Sequence, residues 1–108
     1  MKTTEIEQSI VFSIIAVALA EGFTISVYDG EEYPLTNSTD PKAINDAMFS
    51  TDSDVLVLSK GQPAMPAGSI VLIYGNGCDV ISDHSVSLSR LLLTPMELSE
   101  KFAGMPPG

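Results

Sequence analysis

Apolar residues recur at helical spacing in the first fifth of the chain. Ile6, Ile10, Ile14 and Val17 mark a stripe between Glu5 and Glu21, and Phe12, Ile15 and Leu19 widen it over most of the circumference. The pattern predicts a helix buried on more than one side, with one face on a sheet. Phe12, Ile15 and Leu19 are then expected to meet another copy, because large apolar patches are uncommon on monomers. Gly22 ends the helix. Phe23 to Tyr28 is β-branched and aromatic, and Asp29-Gly30 suits a two-residue turn leading into Glu31 to Thr36, a hairpin. Pro34 removes a ladder donor, which places that second arm at a sheet edge.

Asp40-Pro41 has the form of a helix cap and first turn, with Ile44, Ala47 and Met48 as a short apolar face. Val55 to Ser59 is an unbroken apolar run, predicting a strand buried on both faces, and Lys60 to Gly68 reads as irregular. Ser69 to Tyr74 and Cys78 to Ser82 flank Gly75-Asn76-Gly77 as a second tight hairpin. Ser85 to Leu91 fits a strand or a helix, with helix preferred. Thr94-Pro95-Met96-Glu97 then predicts a capped helix to Ala103, and residues 104–108 are expected to fray. The expected fold is a single α+β domain over 1–108: a largely antiparallel sheet of four to five strands, built from two hairpins, with helices on one face.

Composition narrows the function. Of 108 residues 44% are apolar and 18% charged, enough for a core without disulfides or metal, which excludes a disordered acidic tail. Fourteen acids against five bases give a net charge of −9, so neither a positive groove for nucleic acid nor attachment to an anionic membrane is expected. Ile10 to Ala20 ends in Ala18-Leu19-Ala20 like a secretory cleavage site. However, Glu5 and Glu7 offset Lys2, and Thr4 to Glu7 has the spacing of a capping box, so a cytoplasmic location is the expectation. The run is also shorter than the roughly 20 residues of a membrane span.

Candidate chemistry is sparse. Cys78 and His84 are the only thiol and imidazole, and six residues of extended chain between them span roughly 20 Å, too far for a nucleophile and its base. Asp52-Ser53-Asp54 with Asp29, Glu31 and Glu32 could offer oxygen ligands to a cation, but the spacing completes no EF-hand loop, and a solvated acidic rim explains it as well. Gly75-Asn76-Gly77 lacks a third glycine and a following helix, so it makes a poor dinucleotide fingerprint. Ser26, Ser82 and Ser85 sit in no nucleophile elbow. No catalytic residue, metal or cofactor is therefore assigned.

Ile25-Ser26-Val27-Tyr28-Asp29-Gly30-Glu31-Glu32, Ser50-Thr51-Asp52-Ser53-Asp54, and Tyr74-Gly75-Asn76-Gly77 followed by Asp79 to Asp83 together carry a resemblance over most of residues 10 to 103. The chain resembles a group of small acidic proteins carried by phages and prophages. That resemblance implies a mobile-element origin and a host-cytoplasmic setting, and it brings no catalytic residues. Small acidic phage proteins often occupy a host protein, sometimes by mimicking DNA charge. Seven acids lie between Asp29 and Asp54, opposed there only by Lys42. Asp29, Glu31, Glu32, Asp52 and Asp54 are accordingly the expected binding face for a basic host protein. The competing readings are a small-ligand or metal-binding protein, or an enzyme, that uses the acidic loops, and an oligomeric assembly protein.

Overall fold

The computed structural model describes residues 3–49, 51–75 and 77–104; the fraying expected of 105–108 lies outside them. Helix α1 (Thr3–Ala20) begins before Thr4, which therefore lies inside the first turn and is not its cap. The helix closes as the sequence predicts. Gly22, at φ 89°, lets the amide of Phe23 turn back to donate to the Ala18 carbonyl at 3.1 Å.

The strands β1 (Thr24–Tyr28), β2 (Leu35–Ser38), β3 (Ser53–Lys60), β4 (Met65–Ile73) and β5 (Ile81–His84) form one sheet in the order β2-β1-β3-β4-β5, antiparallel at every pairing. The α+β class, the single antiparallel sheet and β2 at an edge agree with the sequence reading. Helix α2 (Pro41–Asp46) carries the chain from β2 to the far side of β1. As expected, Asp40 caps α2 by accepting from the Lys42 amide at 3.1 Å, with Pro41 in the first turn.

Several local expectations need correction. The connection after β1 is a loop of residues 29–34 and not a two-residue turn, because Asp29 folds its carboxylate over the following amides and β2 begins only at Leu35. Lys60 to Gly68 is largely strand: β3 and β4 pair out to Lys60 and Met65, with a bulge beside Leu58 absorbing the irregular sequence. Cys78 lies in a 3-10 turn (Gly77–Asp79), so β5 starts three residues later than the tight hairpin would have it. Ser85 to Leu91 contains only a 3-10 turn (Val86–Leu88). Helix α3 (Leu93–Ala103) begins one residue before Thr94. Its cap position is Leu92, with no side-chain hydrogen bond, and the Thr94 cap is not formed.

The core lies between the sheet and its helices. Ile10, Val11, Ile14 and Ala18 of α1 meet Ile25, Val27, Leu56, Leu58, Ile70 and Leu72, with Ile44, Leu88 and Leu92 at the margins. Because α1 also packs against α3, Ile15 is buried and Leu19 half-buried. Of the residues expected at an interface, Ile15 is thus inside the core, whereas Phe12 is 47% exposed and Leu19 half-buried.

The bulge in the β3–β4 hairpin also brings Gly68 against Leu88. A Cβ built on Gly68 would stand 2.8 Å from Leu88 Cγ and 2.9 Å from its Cδ1, and Leu88 is itself buried. Gly68→Ala is therefore expected to destabilise by about 1–3 kcal/mol through overpacking. Trimming the neighbour at the same time, with Leu88→Val, should recover part of that loss in a urea titration.

Candidate functional site

Register decides which segments share an end of the sheet. Tyr28 pairs with Val55 and Ser53 with Ile73, so the loop after β1, the approach to β3 and the turn after β4 all leave at the same end. The predicted acids Asp29, Glu31, Glu32 and Asp52 gather there. Asp29 holds its loop: Oδ1 accepts from the amides of Glu31 and Glu32, both at 2.9 Å. Those bonds, the Glu32 amide first, hold the Asp29 carboxyl below its ordinary range and keep it charged. Glu31, Glu32 and Asp52 are exposed, and none of the four forms an ion pair with another described residue.

Asp54 does not belong to this surface. It is 1% exposed, and its pairing opposite Leu72 puts it on the core side of the sheet with Leu56 and Leu58. Its Oδ2 accepts from the Tyr74 hydroxyl at 2.5 Å and from the Phe49 amide at 3.0 Å, while Oδ1 has no hydrogen-bond partner among the described residues. Phe49 is held at φ 66°, a left-handed backbone costly for an aromatic residue, and its ring lies 4.7 Å from that of Tyr74. Burial first, then the Asp54 hydrogen bond and the charges of Asp54 and Glu7, push the Tyr74 phenol far above its ordinary pKa, so it stays a donor throughout the neutral range.

Glu7, which the sequence offers as the closing residue of a capping box, instead completes this buried polar group. It is 3% exposed, and its Oε2 accepts from the amides of Gly75 at 2.6 Å and Gly77 at 3.2 Å. The helix thereby ties down the turn that superficially resembles a phosphate loop, and the amides of Gly75 and Gly77 are already engaged. A signal for both acids was present. Glu7 falls on the helical face of Val11, Ile14 and Ala18, and Asp54 extends the inward alternation of Leu56 and Leu58. A carboxylate on an apolar face has to find a buried partner.

The face of the sheet turned away from the helices carries the second part of the surface. Tyr28, Val55 and Val71 stand side by side across β1, β3 and β4, with Val57 beside them. All four are half-buried, yet none joins the core cluster. The expectation that β3 is buried on both faces holds only in part: Leu56 and Leu58 are in the core, whereas Val55 and Val57 on the other face are half-buried and outside it. Tyr33, 52% exposed, packs its ring 4.9 Å from Tyr28, and Ile73, 39% exposed, prolongs the β4 row. Asp83, paired with Val71, ends the cross-strand row in another exposed acid.

Cys78 and His84 stand at opposite ends of the β5 region. The Cys78 carbonyl accepts from the Ser99 hydroxyl, and His84 Nε2 faces Ser89 Oγ at 3.3 Å. Among the described residues, no three His, Cys, Asp or Glu side chains converge to hold a metal ion, and no helix is long and apolar enough to cross a membrane.

Fold and surface together define a small α+β protein whose open sheet face is apolar at its centre and acidic at one end. The chain matches no protein-family model, no curated protein and no solved structure.

Proposed function

We propose that the chain is a non-enzymatic binding protein of the phage-encoded type, which occupies a basic host protein in the host cytoplasm through the open face of its sheet. The observation that carries this reading is the adjacency of two features. The apolar row Tyr28, Val55, Val71 and Ile73 lies next to the half-buried Asp29 and the exposed carboxylates of Glu31, Glu32 and Asp52, none of which has an ion-pair partner among the described residues. Apolar contact at the centre supplies residence time, and the acidic rim steers a partner of opposite charge and fixes its orientation. Because Asp54 is spent inside the fold, the acidic contribution comes from the loop after β1 and from Asp52. A host protein whose cationic groove serves nucleic acid has the complementary chemistry, and its occupation would inhibit it.

The test has two arms. After affinity capture from the host and identification of a basic partner, association rates are compared for wild type and a Glu31→Lys, Glu32→Lys double variant at low and high salt. Charge reversal is expected to slow association by about tenfold or more at low salt and to have little effect at high salt. Val71→Lys, on the open face, should instead accelerate dissociation. Equal association rates at both ionic strengths would reject the acidic face as the recognition element.

A further inference from the structure

At the opposite end of the sheet an open cleft of about 550 Å³ is lined by Glu21, Phe23, Lys60, Arg90, Leu91, Leu93 and Thr94. From this lining we infer that the cleft binds a small amphipathic monoanion, an apolar body bearing one carboxylate-like head. The site is separate from the acidic surface, and the inference does not depend on the proposed function.

Charge placement carries the argument. Lys60 and Arg90 are two of only five basic residues in a chain with fourteen acids, yet both line one cleft and neither is in an ion pair with a described residue. Cations left unpaired in so acidic a protein keep their attraction for an outside anion. Lys60 Nζ stands 4.9 Å from the centroid of the Phe23 ring, which holds the ammonium over an apolar floor. Leu93, 58% exposed, and the half-buried Leu91 give the cleft an apolar wall suited to a hydrocarbon or aromatic body.

Glu21 sets the charge of the head group. Against the two cations its carboxylate leaves the lining at +1, enough to compensate one negative charge, and the apolar wall then favours an anion with a hydrocarbon body over bare phosphate. Leu93 and Thr94 open α3, so the positive end of that helix adds potential of the same sign. The volume lies within the roughly 300–1,000 Å³ usual for small-molecule sites.

The test titrates the full-length, isotope-labelled protein with octanoate, octanol and inorganic phosphate at constant ionic strength, following the amide signals of Phe23, Lys60, Leu91 and Thr94. Octanoate is expected to shift them saturably, about tenfold more tightly than octanol, with phosphate producing no saturable shift. Lys60→Gln with Arg90→Gln replaces two exposed side chains, so the melting temperature should hold while octanoate affinity falls about tenfold or more. Octanol binding as tightly as octanoate, phosphate binding more tightly, or no saturation by about 10 mM octanoate would each overturn the proposal, and all three are read on the wild-type chain.

Discussion

Glu7→Ala is expected to destabilise the fold by about 2–4 kcal/mol, seen as a lower denaturation midpoint with the slope largely kept. Two charge-assisted bonds are lost at once, and the amide of buried Gly77 is left without its acceptor. The bonds join residues 68 and 70 positions apart, so their loss also loosens the turn between β4 and β5 from the start of α1. Opposing this, alanine relieves the cost of burying a carboxylate, which is why the estimate stays below a simple sum. Glu7→Gln keeps an acceptor oxygen without the charge and should cost about half as much. If Glu7→Ala left the midpoint unchanged, the tie between α1 and the turn would be refuted. An equal loss for Gln and Ala would show that charge, and not acceptor geometry, holds the turn.

The same tie explains what was legible in the sequence and what was not. Periodicity exposes elements that bury one face, so α1, β1, β3 and the capped α2 stand close to where the pattern puts them. It cannot register contacts between distant segments. The Asp29 carboxylate reads as surface charge, but two successive amides turn it into the scaffold of a loop and delay β2 by four residues. Asp54 reads as one more acid in an acidic run unless its alternation with Leu56 and Leu58 is followed, and the pairing of β3 with β4 shows that their shared face is the core. Val55 and Val57 make β3 look buried on both faces, because an apolar run does not say whether a second layer exists to cover it. For the candidate surface, the run of acids from Asp29 to Asp54 names the charges but not their placement; register sets Asp29, Glu31, Glu32 and Asp52 at one end of the sheet and turns Asp54 inward. The apolar row beside them was hidden in strands whose outward residues were read as core.

Tyr74→Phe is expected to cost about 1.5–3 kcal/mol at neutral pH, although the ring and its packing against Phe49 are retained. Among the described residues the hydroxyl is the only side-chain donor to Asp54 Oδ2, and without it the Phe49 amide is the one described donor left to a carboxylate 1% exposed. The pH dependence shows whether the buried phenol keeps its proton, which burial first and then the Asp54 bond favour. The folded state raises the Tyr74 pKa above its ordinary value of 10.0, so above that pH the folded chain holds the phenolic proton more firmly than the unfolded chain does. Its contribution is therefore fully present below about pH 10 and is lost as pH rises beyond it, at no more than about 1.4 kcal/mol per pH unit for one group. Stability measured from pH 8 to 11.5 should fall more steeply for wild type than for Tyr74→Phe, so that the two curves converge at the alkaline end. Parallel curves over that range would mean that the Tyr74 proton is not held more firmly in the folded chain, and the buried polar group would have to be redrawn.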